Sequence, residues 1–71
     1  MERKRYLELC QRNAAFGNQY LVSYGGRVYY PKRYELAFND AGKTLHGAIL
    51  RNVDNDGILY CNLELVEEVK K

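Results

Sequence analysis

Three side chains in this sequence belong to the types that most often do chemistry: one histidine, His46, and two cysteines, Cys10 and Cys61. A catalytic thiol needs a neighbouring base and surroundings that favour the thiolate. Cys61 instead lies in an apolar run with Leu59 and Leu63, and Cys10 also has apolar neighbours. Such positions usually hold a buried, inert thiol. His46 has no recognisable nucleophile or orienting carboxylate in a catalytic spacing. The residues therefore point away from an enzyme.

Two other stretches resemble ligand loops but lack the chemistry. Asp54-Asn55-Asp56-Gly57 begins like a calcium loop, yet the twelfth position, where a bidentate Glu closes the cage, holds Leu65. Gly25-Gly26 lacks the Lys-Ser/Thr and the following helix of a phosphate-binding loop. The two cysteines are far apart and have no second pair, so neither a zinc spacing nor a disulfide framework exists. No metal and no cofactor is expected.

One constellation suits binding. Tyr24, Arg27, Tyr29, Tyr30, Lys32, Arg33 and Tyr34 interleave rings with cations in one short stretch. Tyr and Arg are enriched at the centres of protein interfaces. Exposed rings beside cations also suit single-stranded nucleic acid, because bases stack while phosphates are neutralised. Alternate strand residues share a face, so Arg27 and Tyr29 are expected to line one surface. The expected binding set is Tyr24, Arg27, Tyr29, Tyr30 and Arg33, with the Tyr6/Leu7 helix face as a second surface for self-association. A net charge of +2 is weak for a nucleic-acid footprint, and Glu35, Asp40, Asp54 and Asp56 oppose the field.

These residues must be positioned by a small β-rich domain. Residues 2–15 read as a helix, with Tyr6, Leu7, Cys10 and Ala14 on one stripe and Phe16-Gly17 as the stop. Residues 19–65 read as a five-stranded antiparallel meander. Tyr20, Val22 and Tyr24 alternate before a Gly25-Gly26 hairpin turn, and Arg27 to Tyr30 form the return strand. Pro31 is expected to end that strand or place it at an edge. A third strand runs from Arg33 to Asn39, with Tyr34, Leu36 and Phe38 on one face. After the Asn39–Gly42 turn come two more apolar segments, Leu45–Leu50 and Ile58–Leu63.

A three-residue loop at Asn55-Asp56-Gly57 would set Val53 opposite Leu59 and Ile49 opposite Leu63. A loop of the same length after Phe38 would set Phe38, Leu36 and Tyr34 opposite Thr44, His46 and Ala48. The two registers disagree about which face of the fourth strand points inward. Gly47 lies at the change and is expected to mark a bulge or bend that lets the sheet curl. Residues 66–71 are expected to be a frayed tail, with a short helical turn or strand end as alternatives.

The strand number and turn spacing resemble the SH3-like family of small barrels, and no family motif accompanies that likeness. The resemblance implies a closed barrel and transfers no functional residue. The expectation is thus one α+β, mainly β domain over 1–71: a helix followed by a meander curled into a small SH3-like barrel.

Seventy-one residues suffice for one domain, and a chain this short buries only about 60% of its unfolded surface, so association with another chain would add stability. No apolar run approaches the roughly 20 residues that cross a bilayer, and the basic start lacks the apolar stretch of a signal peptide. A cytoplasmic protein with no membrane contact is expected. The expected function is a non-catalytic interaction module presenting a Tyr/Arg-rich sheet face to an unknown protein partner or to its own copy. The alternative is a nucleic-acid-binding accessory protein using the same surface.

Overall fold

A computed structural model describes residues 1–69. A helix, α1 (Arg3–Phe16), precedes β1 (Val22–Tyr24), β2 (Arg27–Phe38), β3 (Thr44–Asn52) and β4 (Ile58–Asn62). A single 3-10 turn (Leu63–Leu65) then leads to β5 (Glu67–Glu68). The strands form one antiparallel sheet in the order β4-β3-β2-β1-β5. The class is α+β and mainly sheet, as expected. The sheet is open, with β4 and β5 at its two edges, so the expected closure into a barrel is not present.

The helix buries Tyr6, Leu9 and Asn13, spaced i, i+3 and i+7. Leu7 is only half-buried and Ala14 is exposed, so the inward stripe is rotated from the one that apolar residues alone indicate. The polar member explains the rotation. Asn13 donates through Nδ2 to the Tyr20 carbonyl at 3.0 Å, and its Oδ1 accepts from the Gln19 and Tyr20 amides at 3.1 and 2.9 Å. It holds the loop that carries the chain from α1 into β1. The Gly17 amide closes the helix on the Asn13 carbonyl at 3.0 Å.

Pro31 does not end a strand. β2 runs through it for twelve residues, and the register against β3 shifts between Pro31 and Arg33, with Lys32 as the extra residue of a bulge. A bulge is one of the few sheet positions that tolerate a residue without an amide hydrogen. Pro31 is fully buried there. The expected second and third strands are therefore one, and the fifth strand comes from the tail. Val66 is fully buried, Glu67 and Glu68 pair with Ser23 and Val22, and the Val69 amide bonds to the Leu21 carbonyl at 3.0 Å. Residues 66–69 are not frayed; the remainder of that expected tail, Lys70 and Lys71, lies outside the described residues.

The turns sort the register expectations. Tyr24 pairs with Arg27 around Gly25-Gly26, both at positive φ (58° and 79°), as a tight hairpin requires. Phe38, Leu36 and Tyr34 stand opposite Thr44, His46 and Ala48, as read from the sequence. The last hairpin differs. Leu50 faces Leu59 and Ala48 faces Cys61, three positions from the expected pairing.

Loop hydrogen bonds account for the difference. The Asn52 and Asn55 side chains accept from the Asp54 and Gly57 amides, each at 2.8 Å, and the Asp56 amide bonds to the Asn52 carbonyl at 3.1 Å. The left-handed residue is Asp56 (φ 61°), not Gly57; Asp is among the few residues other than glycine that adopt this conformation, and its carboxylate accepts from Arg51 Nε at 3.1 Å. In this register Ala48, Leu50, Leu59 and Cys61 share one face, and β3 needs no change of parity. Gly47 marks no bend. A Cβ at Gly47 would overlap the ring of Tyr60, which crosses over it from β4.

The core lies between α1 and one sheet face. Tyr6 and Leu9 pack there with Val22, Tyr29, Ala48, Leu50, Cys61, Leu63 and Val66. Among the described residues the opposite face carries no second layer.

Candidate interaction surface

The cross-strand registers define the uncovered face row by row. Tyr30 pairs with Arg51, which pairs with Ile58; Arg33 pairs with Ile49, which pairs with Tyr60; Glu35 pairs with Gly47. Paired residues point to the same side of a sheet, so Tyr30, Arg33, Arg51, Ile58 and Tyr60 surround Ile49 on one surface. Ile58 is 67% exposed and Tyr60 50%, whereas Ile49 at the centre is only 8% exposed beneath its neighbours. A central aliphatic residue ringed by Tyr and Arg has the make-up of an interface core and its surround.

Charge is unevenly neutralised across this surface. Arg51 pairs with Asp56 at 3.1 Å, and Lys32 lies 5.9 Å from the Tyr30 ring centre while bonding to Asn18. Arg33 is exposed and makes no ion pair among the described residues. The bulge is what assembles the set. With Lys32 inserted, Tyr30 and Arg33 project to the same side; without it, their odd separation would send them to opposite faces.

The five residues singled out from the sequence divide into two groups. Tyr30 and Arg33 lie on the uncovered face. Tyr24, Arg27 and Tyr29 face the helix side: Tyr24 packs on the core, Arg27 is exposed at the hairpin end, and Tyr29 is 7% exposed within the core. Arg27 and Tyr29 do share a face, but it is the buried one, so the expectation of an exposed Tyr29 is corrected. Tyr6 is likewise fully buried, which removes the Tyr6/Leu7 face as a docking surface. Arg51, Ile58 and Tyr60 were missed by the sequence reading. The alternation Ile58-Tyr60-Asn62 against Leu59-Cys61-Leu63 carried the signal for Ile58 and Tyr60, whereas the wrong hairpin register turned Ile49 inward and with it Arg51.

The groups considered for catalysis stand apart from this surface. His46 Nδ1 is hydrogen-bonded to the Tyr34 hydroxyl, and the rings stack with centres 5.8 Å apart. His46 borders a cavity of about 190 Å³ together with Met1, Arg3, Leu63 and Glu64, and no thiol or aliphatic hydroxyl lines it. Among the described residues no three His, Cys, Asp or Glu side chains are grouped to hold a metal ion. No helix there is long and apolar enough to cross a membrane.

Cys10 and Cys61 are free, and burial pushes both thiols above their ordinary value of 9.0. A raised value leaves less thiolate at any given pH, so alkylation slows. We expect iodoacetamide at pH 8 to modify Cys61 at least about tenfold more slowly than the same residue in urea-unfolded chain. Mass spectrometry against time measures this, and equal rates would mean that the thiol is activated.

This surface offers stacking, cationic and apolar contact. In comparisons with known proteins, no family model, curated protein or solved structure matches the chain.

Proposed function

We propose that the protein is a small non-catalytic interaction module that presents the uncovered sheet face to a protein partner or to its own copy. The supporting observation is the exposed pair Ile58 and Tyr60 beside Tyr30 and Arg33, on a face where the described residues supply neither an ion pair for Arg33 nor a second layer. Apolar area left exposed in this way, rimmed by cations, is a common mark of a binding surface. We also read the sheet as an opened relative of the SH3-like barrel: the bulge in β2 bends the sheet, and the 3-10 turn carries the chain from the β4 edge to the β5 edge. The two free thiols favour a reducing compartment, the cytoplasm.

A photo-crosslinking amino acid in place of Tyr30 tests the interaction reading in cells. A discrete adduct that disappears with Arg33→Glu is the expected result. Adducts only from a probe at the helix surface, such as position 11, would overturn it.

The nucleic-acid alternative draws on the same rings and on Arg33, Arg51 and Lys32. It predicts amide shifts on residues 30–33, 51 and 58–60 when a short single-stranded oligonucleotide is added, with affinity falling steeply as salt rises. An unmoved spectrum at low salt would exclude it.

A further inference from the structure

The two sheet edges are built differently. β5 contributes only two residues, both glutamates, and Arg5 of α1 pairs with Glu68 at 2.7 Å. A very short, charged strand is a standard means of keeping an edge from pairing with another chain. Among the described residues β4 has no such protection. Its five residues, Ile58-Leu59-Tyr60-Cys61-Asn62, include no charge and no proline, and its register against β3 has no bulge.

The backbone groups available on this edge follow from the ladder. The Asn52 amide bonds to the Gly57 carbonyl at 2.7 Å. Hydrogen-bonded pairs alternate along an antiparallel ladder, so Leu59 and Cys61 direct their amide and carbonyl groups at β3. Ile58, Tyr60 and Asn62 therefore direct theirs outward, three donors and three acceptors along an open edge.

We propose that β4 is the pairing edge for β4 of a second copy, running antiparallel about a two-fold axis through Tyr60. The strand fits itself in this register. Tyr60 opposes Tyr60 of the second copy, Ile58 opposes Asn62, and Leu59 opposes Cys61, so each side chain meets one on its own face of the sheet. No like charges meet within the paired strand. The acidic residues nearby, Asp56 and Glu64, lie outside it, in the hairpin loop and the 3-10 turn. The joined sheet has ten strands, with both Ile58–Tyr60 surfaces on one side.

This inference deepens the interaction reading by naming the partner and the element, and shares Tyr60 with it. Its test uses purified protein alone, so failure here leaves capture of another protein through Tyr30 and Arg33 standing. A contact of this size is small beside the roughly 1,600 Å² of a standard interface, so it exchanges with monomer. Sedimentation should show the mass rising toward twice the monomer between about 10 μM and about 1 mM, the range for a contact of that size. In a mixture of isotopically labelled and unlabelled chains, a filtered nuclear Overhauser contact should link Leu59 Hα with Cys61 Hα of the other copy, because opposed residues that are not hydrogen-bonded approach most closely.

Tyr60→Lys places two ammonium groups across the axis and should keep the protein monomeric. Ile58→Pro is the second variant: it removes an outward amide that β3 does not use, leaves the fold intact, and should also prevent pairing. A constant monomer mass to 1 mM would overturn the proposal. So would a dimer that lacks the Leu59–Cys61 contact, or one that persists in a folded Ile58→Pro variant.

Discussion

Replacing Asn13 with Ala lowers the stability of the domain by roughly 2–4 kcal/mol, because each buried group left without a partner costs about 1–3 kcal/mol. Asn13 is 5% exposed, and its amide satisfies the Gln19 and Tyr20 amides and the Tyr20 carbonyl. Alanine can replace none of these bonds, and the loop must open to water to recover them. Arg12 reinforces the same loop, with its guanidinium 5.8 Å from the Tyr20 ring centre, but at an exposed site where such contacts contribute less. A domain of this size has about 4–10 kcal/mol in total, so the loss is a large share of its stability. Urea unfolding followed by circular dichroism measures the effect. Gln11→Ala, on the exposed side of the same helix, is the control and shifts the midpoint little.

The second large effect is at Tyr6, whose ring and hydroxyl have separate tasks. The ring is fully buried in the core, and the hydroxyl lies 2.9 Å from the Arg33 carbonyl and 3.0 Å from the Ile49 carbonyl. Those two residues pair immediately after the bulge, where the ladder is disturbed. A hydroxyl has one hydrogen, so its donation is shared between the two acceptors. Tyr6→Ala removes ring and hydroxyl together and costs about 3–5 kcal/mol, a large share of that total. Tyr6→Phe keeps the ring, leaves both carbonyls without this donor, and costs about 1–3 kcal/mol.

Alkali separates these contributions further. Burial raises the Tyr6 phenol well above its ordinary value of 10.0. Below pH 10 the phenol is neutral in folded and unfolded chains alike. Above it the unfolded chain ionises while the folded one keeps its proton, so stability falls as pH rises. Tyr6→Phe lacks that loss. Its stability curve and that of the natural chain therefore converge from pH 10 upward, and a constant gap would show that the hydroxyl is not buried.

How much of this was legible beforehand depended on whether the deciding interactions were local. The Gly25-Gly26 hairpin and the pairing of Phe38 with Thr44 follow from turn residues acting over a few positions, and both were read correctly. The last hairpin was misread because Asn52 and Asn55 bond to the loop through their side chains, which composition alone does not rank. The sequence places Pro31 at a strand end or an edge because nothing local announces the bulge at Lys32 or the Tyr6 hydroxyl that bonds to the Arg33 carbonyl from 27 residues away. The candidate surface suffered from the same limit. Tyr30 and Arg33 stand out by type, Tyr29 misleads because a tyrosine reads the same in a core or on a surface, Ile58 and Tyr60 lie outside the basic-aromatic stretch, and Arg51 faces outward only in the correct register.

The clasp between the chain's beginning and its last described strand bears on how the protein is made. The Met1 amino group bonds to the Leu63 carbonyl, Arg5 holds Glu68, and Val66 completes the core against residues from the helix. In translation α1 is therefore made well before Leu63 and Val66, which complete the cover of its inner face. At about 5–20 residues per second, that interval lasts several seconds. During it Tyr6 and Leu9 have no finished core to enter, and β4 emerges as an apolar strand before β5 has closed the opposite edge. Until Val66 is available the core is incomplete, and the nascent chain in that interval is open to chaperones and to premature strand pairing.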